Sequence, residues 1–89
     1  VVKMMEPPRR LLLLVGLAAR LTERQRTCAI AIPHIGGPVL YVYRLDGRRL
    51  SVLAMPQNAR WWFMWGRYRS SPAEELEATA RILAEETAG

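Results

Sequence analysis

A single cysteine, Cys28, leaves the chain without a pair for an intrachain disulfide, the usual staple of a small secreted domain. A single histidine, His34, has no nearby cluster of ligating side chains, so no zinc-like ligand set is present. Glycine is equally sparse where chemistry would want it: Gly36-Gly37 leads into Pro38 and a strand-like stretch, whereas a phosphate-cradling loop feeds a helix. The apolar run Leu11–Ala19 ends at Arg20, far short of the roughly 20 residues that cross a bilayer. Arg9-Arg10 before it imitate the basic flank of a signal peptide, but cleavage there would remove a helix that the sheet needs. These absences predict a cytoplasmic protein with no membrane span.

Acidic residues are almost missing from positions 1–69, where Glu6, Glu23 and Asp46 stand against 12 of the 13 basic residues. Glu74, Glu75, Glu77, Glu85 and Glu86 then crowd the C-terminal stretch with only Arg81. The formal charge of +5 therefore hides a dipolar chain. Such asymmetry suits attraction of nucleic acid, and suits equally an acidic helix lying beside basic residues of its own chain or of a second copy.

Eighty-nine residues, 51% of them apolar, suffice for one core. The pattern predicts an α+β fold: a helix, a four-stranded antiparallel meander sheet and a C-terminal helix. Residues 1–8, with Pro7-Pro8, form a flexible N-terminal segment, and 9–89 form a single domain. From Arg9 the sequence favours helix, with Leu12, Val15 and Ala19 on one side and Leu11, Leu14, Ala18 and Leu21 beside them, an apolar arc too broad for an ordinary surface helix. Gly16 within it permits close backbone approach. Strands are expected over 27–35, 39–45, 48–55 and 59–67. Asp46-Gly47 predicts a type I′ turn joining the second and third, Pro56-Gln57-Asn58 a further turn, and Pro33 and Pro38 an edge position for the first strand. Ser71, Pro72 and Glu74 form a capping box from which helix 2 should run to about Glu86, with Leu76, Ala80 and Leu83 on the sheet and Glu77 paired to Arg81. Pattern alone leaves open whether the helices share a face.

No constellation calls for catalysis. Cys28 and His34 would lie about 20 Å apart on an extended segment, which leaves Cys28 as an inert buried thiol. Asp46 is explained by its turn, Glu74 by its cap and the other glutamates by a solvated helix. The expectation is a protein that is not an enzyme and has no cofactor and no metal. The exceptional feature is the stretch from Arg60 to Arg69, which holds all three tryptophans and the only phenylalanine within five positions. Trp61, Phe63 and Trp65 share one side of a strand, Trp62 and Met64 the other. Three uses remain open: core, protein interface, or platform for a base or small ligand.

The residues Asp46-Gly47-Arg48-x-Leu50-x-Val52, Trp61-Trp62-Phe63-x-Trp65-Gly66 and Ser71-Pro72-Ala73 before an Ala/Glu helix resemble a group of small uncharacterised actinobacterial proteins with a Trp-rich W-x-F-x-W-G-like strand. The resemblance covers roughly residues 9–86. It departs at Pro56-Gln57-Asn58-Ala59-Arg60, where that group often carries acidic residues. It implies a bacterial, cytoplasmic accessory or regulatory protein. The functional expectation is a non-enzymatic protein–protein interaction module that self-associates as a homodimer and presents a surface to a regulatory partner. Its candidate interface is Leu12, Leu17, Tyr41, Tyr43, Trp61, Trp62, Met64 and Trp65. The alternative is a single-stranded nucleic-acid-binding module using Arg60, Arg67 and Arg69 beside exposed aromatics, with Arg9, Arg10, Arg20, Arg24 and Arg26 extending the field.

Overall fold

The computed structural model describes residues 9–88; the expected flexible segment 1–8 lies outside them. Two helices and five strands follow in the order α1 (Arg9–Glu23), β1 (Cys28–Ala31), β2 (Val39–Tyr43), β3 (Arg49–Gln57), β4 (Arg60–Trp65), β5 (Arg69–Pro72) and α2 (Leu76–Glu86). The strands form one antiparallel meander in the order β1-β2-β3-β4-β5, with β1 at an edge as its flanking prolines required.

The sheet has five strands, not four. After Trp65 the chain turns on Gly66 and Tyr68, both at positive φ, and Arg69–Pro72 pairs back on β4 with Phe63 opposite Ser71 and Met64 opposite Ser70. Arg-Ser-Ser-Pro has little intrinsic strand preference; β4 templates it, and Pro72 is tolerated because β5 is an edge. Helix 2 accordingly starts at Leu76 instead of Pro72, and its N-cap Glu75 makes no side-chain capping bond. The expected capping box does not form, because Ser71 is in the sheet.

The turns also exchange roles. Leu45-Asp46-Gly47 is a three-residue connection in which Gly47 N–H donates to the Arg44 carbonyl, Asp46 Oδ1 accepts from Arg48 N–H at 2.9 Å, and only Gly47 takes positive φ. That is a type I turn followed by a left-handed residue, not type I′. The two-residue turn with both centres left-handed is Asn58-Ala59, at φ 54° and 58°, closed by the pair Gln57–Arg60. Strand β3 thus runs through Pro56, which the sequence had suggested as a turn. Its pairing with β2 reaches only to Val52, so a missing N–H at Pro56 breaks no ladder bond on that side. Strand β1 is shorter than expected and ends at Ala31; Ile32 and Ile35 lie beyond it, exposed.

Both helices cover the same sheet face. The core joins Leu14, Leu17 and Leu21 of α1 and Ala80, Leu83 and Ala84 of α2 to Leu40, Val42, Val52, Ala54, Phe63, Trp65 and Ala73. The i, i+3, i+7 spacing of the three leucines is the helical stripe, while Leu12 and Val15 stay half-exposed outside it. A Cβ on Gly16 would meet Leu76 at an ordinary 3.8 Å, so helix packing does not require glycine there. Helix α1 ends on Gln25 in the left-handed conformation, with Arg26 N–H reaching back to the Leu21 carbonyl and Gln25 N–H to that of Thr22. Glu77 bridges to Arg20 of α1 at 2.8 Å and to Arg24, just past its end, at 3.7 Å, not to Arg81. No helix among the described residues is long and apolar enough to cross a membrane.

Candidate interaction face

Because strand side chains alternate, burying Leu40, Val42, Val52, Ala54, Phe63 and Trp65 under the helices sends their neighbours to the opposite face. No described element packs over that face. Its rows follow from the register: Tyr41 opposite Ser51 and Tyr43 opposite Arg49, then Leu53 opposite Met64, which is itself opposite Ser70, then Met55 opposite Trp62, which is opposite Pro72. Leu53 remains 40% exposed at the centre, and an open concavity of about 860 Å³ runs past Val39, Tyr41, Leu53, Met64 and Tyr68. None of these strand positions is acidic.

Two arginines lie over aromatic rings here. The Arg49 guanidinium sits 4.0 Å from the Tyr41 ring centroid, and that of Arg60 5.2 Å from Trp62. The Trp62 indole N–H donates to the Gln57 carbonyl at 3.2 Å, which fixes the ring against the end of the β3–β4 hairpin. Arg60 also holds Glu74, and this pairing pushes the Glu74 carboxyl below its ordinary range and the guanidinium above its own.

The eight residues proposed from sequence as an interface therefore divide three ways. Tyr41, Tyr43, Trp62 and Met64 are on the open face, each partly exposed. Leu17 and Trp65 are buried in the core, and Trp61 packs against it. Leu12 is on the outer side of α1. Leu53 and Met55 belong with the open-face group and were missed, although their parity with Ser51 in an alternating strand carried the signal. Of the arginines proposed for nucleic acid, Arg60 lies at one end of β4 and Arg67 and Arg69 beyond the other. Arg69 is held by Glu86, whose other carboxylate oxygen accepts the Trp65 indole N–H at 2.6 Å.

The acidic residues of the C-terminal region are thus largely engaged by the chain's own cations. Cys28 sits half-buried against the core, where desolvation pushes its thiol up, while His34 is exposed in the β1–β2 loop. No group of three His, Cys, Asp or Glu side chains is arranged to hold a metal ion among the described residues. No family model matches this chain, and no curated protein or solved structure matches it.

Proposed function

We propose that the protein is a self-associating interaction module whose dimer forms by apposition of two open sheet faces. The observation that carries this reading is the continuous patch of Tyr41, Leu53, Met55, Trp62 and Met64 on the face that both helices leave bare. A sheet gains stability by covering each apolar face with another layer, and a second copy supplies that layer in the manner of a β-sandwich.

Scale supports a modest dimer. Five strands at about 4.8 Å spacing and roughly 20 Å in length give a projected face of about 500 Å². Side-chain relief brings two apposed faces near the roughly 1,200 Å² at which specific interfaces begin. Association and side-chain ordering costs then leave an affinity on the order of micromolar.

Charge favours one arrangement. A two-fold axis in the interface plane, perpendicular to the strands, lays the end bearing Arg49 over the opposite end of the second copy, where Arg60 is neutralised by Glu74. An axis parallel to the strands would stack the two arginine-rich ends on each other. The patch composition, tryptophan, tyrosine, methionine and leucine at the centre with arginine toward the rim, is that of interface hot spots.

Single substitutions locate the contact. Leu53→Asp and Met64→Asp, on the open face, are expected to give folded monomers by circular dichroism and light scattering. Leu12→Asp, on the outer side of α1, is expected to leave the dimer intact. Dissociation by Leu12→Asp with no effect from the two sheet variants would move the interface to the helices and reject this reading.

A further inference from the structure

The two edges of the sheet differ in what their backbones offer. Tyr43 N–H donates to the Thr27 carbonyl, and in an antiparallel ladder the bonded pairs recur at every second residue, so Ala29 and Ala31 bond to β2 opposite Tyr41 and Val39. The N–H and C=O groups of Cys28 and Ile30 therefore point away from the sheet, where no described strand pairs with them. On the other edge Ala73 N–H donates to the Trp61 carbonyl, so the outward positions of β5 are Ser70 and Pro72. Proline has no N–H, and Arg69, held by Glu86, opens that strand. Edge strands are blocked against further pairing by proline and by charge; β5 carries both, whereas β1, Cys-Ala-Ile-Ala, carries neither.

The surroundings of β1 indicate what would pair there. Gly16 faces Leu76 and Arg20 meets Glu77 on the side of α1 turned to α2, which leaves Val15 and Ala18 on the flank toward β1, Val15 half-exposed. Ile32, just past the strand, is 70% exposed. Cations stand at both ends of the edge. Arg26 lies two residues before Cys28, its Nε donating to the neutral Ala84 carbonyl, and a Cβ placed on Gly37 of the β1–β2 loop would fall 3.1 Å from Arg10 Nη1. Neither arginine forms an ion pair with a described residue, and no carboxylate side chain occurs from Arg24 to Leu45. We infer that the β1 edge binds an extended segment of a partner protein, apolar at its centre and acidic at its ends, which adds to the sheet as a sixth strand. A second copy of β1 is a poor occupant, because antiparallel self-pairing would bring the Arg26 end of one chain against the Arg10 end of the other. Face-to-face dimerisation leaves this edge free, so the two surfaces act independently.

The test uses the full chain and a fluorescein-labelled nine-residue peptide, Asp-Glu-Val-Thr-Val-Thr-Val-Glu-Asp, with a control peptide in which lysine replaces every acidic residue. Ile30→Pro removes an outward N–H of β1 without removing a bond to β2, and Ser70→Pro does the same at β5. Arg10→Glu reverses the charge at one end of the edge and leaves its backbone donors in place. Anisotropy should show binding of the acidic peptide that weakens with salt, is at least fivefold weaker for Ile30→Pro and for Arg10→Glu, changes less than twofold for Ser70→Pro, and is absent for the lysine peptide. Amide hydrogen exchange supplies a second reading that needs no variant. In the free protein the Cys28 and Ile30 amides should exchange much faster than those of Ala29 and Ala31, and saturating peptide should slow them at least tenfold while leaving Ser70 unchanged. No binding at about 1 millimolar peptide, equal binding of the two peptides, equal losses for Ile30→Pro and Ser70→Pro, or binding without protection of Cys28 and Ile30 overturns the inference. So does protection of these two amides that rises with protein concentration alone, which would assign the edge to a second copy.

Discussion

Ser71 and Thr79 share a buried hydrogen bond between their hydroxyls at 2.6 Å, tying the edge strand β5 to α2, and the Thr79 hydroxyl lies 2.9 Å from the Glu75 carbonyl. Both side chains are buried, Thr79 completely. Thr79→Val keeps the shape but leaves Ser71 without its partner, at an expected cost of about 1–3 kcal/mol. Ser71→Ala should cost about 1 kcal/mol, since Thr79 retains the Glu75 carbonyl. Urea denaturation of both single variants and the double variant should show a double-mutant loss smaller than the sum. Strict additivity would mean that the two hydroxyls are not coupled.

The exchange of turn types predicts two substitutions of opposite sign. Ala59 holds a left-handed conformation that costs an L-residue about 1–2 kcal/mol, so Ala59→Gly should raise stability by about 1 kcal/mol and complete the preferred Asn-Gly turn. Gly47 sits at φ 88° with open space where a Cβ would go, so Gly47→Ala should cost about 1 kcal/mol through backbone strain alone. Shifts in the urea midpoint at constant slope provide the check.

Acid sensitivity has a local origin at the Arg60–Glu74 pair. The hydrogen bond from Arg60 holds the folded Glu74 carboxyl below its unfolded value. A group so depressed stabilises the fold fully above the unfolded carboxylate range, near 4.3, and loses that contribution as pH falls through the folded value. Glu74→Gln should therefore be less stable than the wild type at neutral pH, with the difference vanishing at low pH. A gap that stayed constant from pH 7 to pH 2 would show that the effect is not ionic.

Cys28 is expected to react slowly. It packs against the core on β1, and desolvation disfavours its thiolate. Alkylation at pH 8 should be at least tenfold slower in the folded protein than in urea. Equal rates would place the thiol in solvent.

Much of the fold was legible in local patterns, and the failures share one cause. The helical stripe Leu14, Leu17 and Leu21, the β2–β3 hairpin and the opposite pointing of Trp61–Phe63–Trp65 and Trp62–Met64 all arise from periodicities of the chain itself. Strand β5 was not legible, because Arg69-Ser70-Ser71-Pro72 is a strand only by pairing with β4, and locally it imitates a helix cap. The turn at Asn58-Ala59 was hidden because alanine gives no left-handed signal; the closing pairs of the hairpin impose it. The interface residues divided for a related reason. A tryptophan strand apolar on both sides says that two faces are wanted, but only the shared placement of α1 and α2 decides which one stays open.

The central claim, that the bare sheet face is covered by a second copy, is tested most directly by the mass of the unmodified chain in solution across a dilution series. Light scattering at about 100 micromolar should give twice the 10.1 kDa chain mass and fall toward the single-chain value on dilution to the low micromolar range, with the fold retained. A folded species of 10.1 kDa at every concentration up to that limit would contradict the account.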